Sequence, residues 1–263
     1  MSPAMSTVST SRPGDGIAQI TLSRPEAMNA ISSAMTAELA RTCAELAAAP
    51  EVRVVVLGAA GERAFCAGAD LKERAGMTDA DILRQRHAIR GVFGAMLALP
   101  QPVIAAVHGF ALGGGCELAL SCDLVVADET AVFGLPEVTV GVVPGGGGTQ
   151  TLVRRVGSAR AAELIFTGRR VDAREAYDLG IAQRLVPPGE ARAVAFEIAT
   201  AIAKNSPVGT RAAKRALRLG AGVDLRAGLD VEDAAWRSVA FSGDRREGVA
   251  AFNEKRPPDW PGE

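Results

Sequence analysis

Val103-Ile104-Ala105-Ala106-Val107-His108-Gly109-Phe110-Ala111-Leu112-Gly113-Gly114-Gly115-Cys116-Glu117 is the stretch whose reading decides how this chain folds. It opens on a short apolar run with β-branched residues, as a strand buried on both faces does. A glycine turn then leads into Cys116 to Cys122, which reads as the start of a helix. The same order recurs on both sides. Upstream, Val52 to Leu57 is a buried strand, Gly58 to Arg63 a turn, and Asp79 to Leu99 a helix ended by Pro100 and Pro102. Downstream, Leu124 to Ala127 is a third buried strand, followed by the loop-rich segment Phe133 to Gly148. Nearer the start, Ile17 to Leu22 alternates as a strand and stops at Arg24-Pro25. Ser32 to Ala48 is alanine-rich and helical, with Ser32 or Ser33 as N-cap and Pro50 closing it. Strand–turn–helix units that recur without a strict sequence repeat argue an α/β fold with largely parallel pairing.

From about residue 150 helical patterns dominate, and strand signals nearly vanish after Ala182 to Val186. The expected organisation is a flexible N-terminal tail over 1–14, an α/β core over 15–200 and a helical C-terminal region over 201–263. The chain has 263 residues, 48% of them hydrophobic, so a substantial core is expected and wholesale disorder is not. The net charge of −1 favours neither nucleic acid nor an anionic membrane as partner. No apolar run reaches the roughly 18 residues that a membrane span needs. Four cysteines without a C-x-x-C pair, and a start without an apolar leader, read as a reduced, cytoplasmic protein. The Ala-, Arg- and Gly-rich, Lys-poor composition points to a GC-rich bacterial genome.

Three stretches carry chemistry: Ala64-Phe65-Cys66-Ala67-Gly68-Ala69-Asp70, Ala111 to Glu117, and Phe133-Gly134-Leu135-Pro136-Glu137. Glycines between strand and helix let the backbone approach a ligand, and the first N–H groups of the helix lack internal partners. An oxyanion would be stabilised there. Glu117 and Glu137 are twenty residues apart in sequence, too far for one helix face, so only folding can bring them together. Taken singly, each stretch also fits an ordinary turn with a solvated or dipole-complementing carboxylate. Gly145-Gly146-Gly147-Gly148 is a candidate phosphate loop, but it lacks the lysine and spacing of a P-loop. No G-x-S-x-G elbow occurs. His87 and His108 have no metal-ligand spacing, and Cys66 and Cys116 read as small apolar neighbours of the turns.

Taken together, the three stretches resemble the enoyl-CoA hydratase/isomerase (crotonase) superfamily. Arg24-Pro25-Glu26-Ala27-Met28-Asn29-Ala30, Pro144 to Gln150 and the tail Glu247 to Pro257 extend the likeness over nearly the whole chain. The resemblance implies a crotonase-like spiral of ββα units, followed by a helical C-terminal region that drives trimer formation, commonly as a dimer of trimers. It implies an acyl-CoA thioester whose oxygen is held by the N–H groups of Ala69 and Gly114. Hydratases of this superfamily use both glutamates, and the chain matches at Glu117 and Glu137. Hydration of a trans-2-enoyl-CoA to a 3-hydroxyacyl-CoA, in fatty-acid or branched-chain acyl-CoA catabolism, is therefore implied, with Glu117 activating water and Glu137 protonating C2. No metal or separate cofactor is implied, CoA being part of the substrate. Ala27, Ala67, Gly68, Asp70, Leu71, Lys72 and Gly113 match substrate- or CoA-binding positions, with Arg24 and, from a neighbouring subunit, Lys255 and Phe252 near the phosphates and adenine. Pro136, Val140 and Trp236 or Phe241 are expected at the acyl end. The run Cys66 to Met77 is similar to the methylglutaconyl-CoA hydratase branch, which keeps that substrate, or Δ3–Δ2 isomerisation, as alternatives. A non-catalytic RNA-binding protein is a remote one, because helix Ser32 to Ala48 carries only Arg41 as a basic residue.

Overall fold

The computed structural model describes residues 6–263. Along the chain, β1 (Val8–Gly14) and β2 (Ile17–Leu22) precede α1 (Ser33–Ala47). Then come β3 (Val54–Ala59), β4 (Ala64–Cys66), α2 (Leu71–Arg74) and α3 (Asp79–Ala98). The next turn of the spiral is β5 (Val103–Val107), β6 (Phe110–Leu112) and α4 (Gly114–Ser121). It is followed by β7 (Leu124–Asp128), β8 (Val132–Gly134), α5 (Gly148–Val156) and α6 (Ser158–Thr167). After β9 (Arg170–Asp172), α7 (Ala173–Leu179) and β10 (Arg184–Val186), the chain continues as α8 (Ala191–Ala203), α9 (Pro207–Gly220), α10 (Leu225–Val239) and α11 (Gly243–Glu254).

Each strand pair divides itself between two sheets. β3, β5 and β7 lie in a sheet ordered β1-β2-β3-β5-β7-β10, while β4, β6 and β8 lie in one ordered β4-β6-β8-β9. The buried runs pair in parallel, with Val55 opposite Val103 and Val107 opposite Ala127. Among the described residues, only β1 and β9 run antiparallel to their neighbours. Two strands and then a helix, repeated while advancing one place in each sheet, is the ββα spiral. The second strand of each pair is three residues long, too short to show a period in the sequence.

Packing follows from patterning. Phe65, Phe133, Leu118, Met35 and Met96 lie in one cluster with the large sheet and the helices around it. Each such side chain contributes about 1.5–3 kcal/mol by leaving water. On the other face of the large sheet, α8 lays Ala191, Ala195, Ala199 and Ala203 against Val54, Val56, Ile104 and Val126. The four-residue spacing puts these alanines on one stripe, and small side chains let helix and sheet approach closely. Helix α8 is thus core, and the helical C-terminal region starts at Pro207. Ser32 caps α1, its Oγ accepting from Met35 N at 3.2 Å.

The expected flexible tail over 1–14 is corrected. Residues 8–14 form β1, paired to β2 from Val8 opposite Leu22. Residues 1–5 lie outside the described ones. Glu38 of α1 anchors the strand, its Oε2 accepting from Ser6 Oγ, Thr7 N, Thr7 Oγ1 and Val8 N at 2.9, 2.9, 3.0 and 2.8 Å. Burial works to raise the Glu38 carboxyl, but these donors win and hold it below the ordinary value. The strand was hidden because it is an edge whose residues beyond Val8 are exposed, so no alternation marks it.

Helix α9 is tied to the core by charge. Lys214 Nζ donates to Asp123 Oδ2 at 2.8 Å and to Gln101 O at 2.7 Å. Arg218 holds Asp123 Oδ1 and donates to Ser121 O at 2.8 Å. Arg155 of α5 donates to Cys122 O at 2.7 Å and to Leu120 O at 3.4 Å. The carbonyls at the end of α4 are therefore satisfied by two guanidinium groups. Beyond α9 the chain leaves apolar surface uncovered: Leu225, Leu229 and Trp236 of α10 and Phe252 of α11 are exposed.

Candidate active site

The site forms where two strand-to-helix turns meet. After β4, Gly68 takes φ +99°. Ile31 N donates to Gly68 O at 2.8 Å and Asp70 N to Ile31 O at 3.1 Å, which fixes the loop on both sides of Ala69. After β6, Gly113 takes φ +52° and donates its N–H to Gly134 O at 2.9 Å. Helix α4 starts at Gly114, two residues before the expected Cys116. Gly115 admits no side chain, since a Cβ there would lie 1.9 Å from Cys66 O. That contact presses the head of α4 against the end of β4. A Cβ placed on Gly114 would lie 3.9 Å from Ala69 N, and one on Gly68 would lie 3.4 Å from Gly114 N. The two N–H groups are thus neighbours, and neither donates to a protein acceptor among the described residues. They open on a cavity of about 600 Å³.

Glu117 lies one turn into α4 and is 3% exposed. Its Oε1 accepts from Gly146 N at 2.7 Å and Gly148 N at 2.8 Å. The glycine run weighed as a phosphate loop is therefore a cradle for a carboxylate of the chain itself. A Cβ on Gly146 would lie 2.8 Å from the Phe93 ring and 2.9 Å from Glu117 Oε2, so the cradle needs glycine there. Burial pushes the Glu117 carboxyl up; the N–H groups of Gly148, Gly146 and Gly145, and then Arg86, pull it down, and burial wins. Glu137 sits in a 3-10 turn, Pro136–Val140. Its Oε2 is buried with no hydrogen-bond partner among the described residues. Burial, with the nearby charge of Glu117 adding to it, pushes Glu137 up to about 7. Both carboxylates line the cavity together with Ala69 and Gly114. One is held by backbone donors and one is left bare, an arrangement suited to sharing a single proton.

The expected binding residues divide. Ala67, Gly68, Leu71, Gly113, Pro136 and Val140 line the cavity. Ala27 and Lys72 lie outside its lining. Asp70 caps α2, accepting from Lys72 N at 3.1 Å and Glu73 N at 3.2 Å, and pairs with Arg24 at 3.0 Å. Burial tends to raise the Asp70 carboxyl, but those donors hold it below the ordinary value. Lys255 and Phe252 belong to the C-terminal region and do not reach the cavity within the chain. Trp236 and Phe241, expected at the acyl end, are 66% and 85% exposed and lie outside it. The apolar wall comes instead from α3, through Ile82, Leu83, Ile89 and Phe93, and from Val142 and Val143. Sequence reading missed this face, although Ile82, Ile89 and Phe93 stand at helical spacing. It also missed Arg74 and Arg86, which line the same cavity.

Two sheets wound from ββα units, with the site where the strand-to-helix turns converge, define a crotonase-type α/β enzyme. The enoyl-CoA hydratase/isomerase family model matches residues 12–263, and the chain belongs to that family, as an enzyme of the enoyl-CoA hydratase, hydro-lyase type. The crystal structure of enoyl-CoA hydratase from Bacillus anthracis superposes with a TM-score of 0.95 at 45% identity, covering 98% of this chain and 100% of that one. The 2,3-dehydroadipyl-CoA hydratase of Escherichia coli is 41% identical over 244 residues, 92% of this chain and 94% of the relative. The short-chain-enoyl-CoA hydratase of Clostridium acetobutylicum is 41% identical over 242 residues, 91% of this chain and 92% of the relative. Among the described residues, no helix is long and apolar enough to cross a membrane.

Proposed function

We propose that the enzyme adds water across the C2=C3 bond of a trans-2-enoyl-CoA to give a 3-hydroxyacyl-CoA. The observation that carries this reading is the pair of carboxylates in one cavity, one cradled by backbone N–H groups and one bare, beside two free N–H groups. The thioester oxygen is held by Ala69 and Gly114 N–H. Glu117, whose donors favour the anion, takes a proton from water as its oxygen bonds to C3. The C=C electrons move onto the thioester oxygen, where the two donors stabilise the enolate. One such donor is worth about 10²- to 10³-fold in rate. Glu137, pushed up to about 7, carries the proton that goes to C2. A proton passing from Glu117 to Glu137 restores the starting state. Isomerisation needs one proton-transfer group, so the presence of two favours hydration.

Ala27, Ala67, Gly68, Asp70, Leu71 and Lys72 are proposed to hold the CoA portion, with Lys255 supplied by a neighbouring subunit. The exposed Leu225, Leu229 and Trp236 support self-association through the C-terminal region. Relatives of equal identity are named for a short-chain and for a dehydroadipyl substrate, so identity leaves the acyl group open.

The test is steady-state hydration of crotonyl-CoA by Glu117→Gln and Glu137→Gln. Each is expected to lower kcat by about 10²- to 10⁴-fold, as loss of a positioned acid or base does, with little change in thioester binding. Near-normal turnover in either variant would overturn the mechanism.

A further inference from the structure

We propose that Arg86 binds a carboxylate at the far end of the acyl group, so that the preferred substrate is an ω-carboxylated trans-2-enoyl thioester. The proposal rests on the hydratase reading and specifies its substrate class.

Helix α3 aligns Ile82, Arg86, Ile89 and Phe93 along the cavity, at spacings of four, three and four residues, so they share one face. Three of the four are apolar and suit an alkyl chain. The fourth, Arg86, is solvent-exposed, and among the described residues its guanidinium makes no hydrogen bond and no ion pair. Its position is set by Gly145: a Cβ on that glycine would lie 3.2 Å from Arg86 Nε and 3.4 Å from Cζ. Gly145 adjoins Gly146, whose N–H holds Glu117, and Arg86 is near enough to pull the Glu117 carboxyl down. The guanidinium thus stands beside the turn that holds Glu117, and the far end of the acyl group is proposed to lie there.

Arg86 does not hold Glu117 by a hydrogen bond, because the backbone supplies those donors. The other cation of the lining, Arg74, is already engaged, its Nε donating to Gln85 Oε1 at 2.8 Å. Arg86 is hydrated in the free protein, so a purely alkyl tail that covered it would strip its water without giving anything back. A carboxylate would satisfy it with two parallel N–H···O bonds. The cavity therefore discriminates against simple fatty tails and in favour of a tail ending in an anion.

The experiment compares trans-2-hexenoyl-CoA with trans-2-hexenedioyl-CoA, which has the same carbon count and a terminal carboxylate. The readout is the ratio of their kcat/KM values in the unmodified enzyme, in Arg86→Gln and in Arg86→Lys. A ratio taken within one variant cancels any shared effect on Glu117. The unmodified enzyme should favour the dicarboxylic ester by about 10- to 100-fold, as a charge-assisted hydrogen bond supplies. Arg86→Gln should bring the ratio close to one, and Arg86→Lys should keep part of the preference. A ratio at or below one in the unmodified enzyme, or a preference that survives Arg86→Gln, overturns the proposal while hydration of hexenoyl-CoA upholds the hydratase reading. Absence of hydration with both esters and with crotonyl-CoA overturns that reading itself.

Discussion

Replacing Glu137 by Gln should stabilise the fold above neutral pH while removing activity. In the folded protein burial lifts this carboxyl from its ordinary 4.5 to about 7. Below about pH 4.5 it is neutral in both folded and unfolded chains and has no effect. Between 4.5 and 7 the unfolded chain gives up the proton first, so stability falls as pH rises. Above 7 the penalty is complete. The interval from 4.5 to about 7 corresponds to ~3.4 kcal/mol at 1.36 kcal/mol per tenfold. Partial solvent access to the side chain screens this, which brings the expected figure to about 1–2 kcal/mol. Gln is a neutral substitute of the same shape and carries no such penalty. Urea unfolding at pH 5 and pH 8, at fixed protein concentration, measures the difference. Glu137→Gln should unfold at higher urea than the unmodified protein at pH 8, and the gap should shrink towards pH 5. A variant equally or less stable at pH 8, or a gap independent of pH, would refute the assignment of Glu137 as a carboxyl destabilised by burial.

Two further outcomes concern the scaffold. Lys214→Met should cost about 2–3 kcal/mol in urea unfolding, less than the roughly 3–5 for a stranded buried charge, because Arg218 still pairs with Asp123; an unchanged midpoint would show that the pair adds nothing. Glu38→Ala removes the acceptor of four donors at the start of β1 and should cost about 1–2 kcal/mol. Its signature is faster hydrogen exchange confined to β1, and unaltered protection there would contradict the anchoring role.

Much of this architecture could be read from local chemistry. Buried runs such as Val103 to Val107 and the glycine turn before Glu117 mark strands and the helix entry without reference to anything distant. What was hidden depended on distance or exposure. The short strands Ala64–Cys66 and Phe110–Leu112 contain too few residues for a period. The glycine run at 145–148 looked like an anion site, and it is one, but its anion is Glu117, some thirty residues earlier and reachable only through the fold. Helical spacing revealed a face on α3 without saying what the face looks at, so Arg86 went unnoticed. Trp236 and Phe241 were expected at the acyl end from the resemblance alone, with no local signal behind them, and both are exposed in the single chain.

The guanidinium groups at the tail of α4 have a mechanical consequence. Arg155 and Arg218 grip the helix by its last carbonyls, while Gly115 presses its head against Cys66 O. Held at both ends, a rod about 12 Å long cannot slide along its own axis. The depth of the Gly114 N–H is thus set in part by a residue of α9, outside the spiral altogether. A chain clipped after Ser206 would keep Glu117, Glu137, Ala69 and Gly114, yet it would lose one of the two fastenings that keep the donor at its working depth.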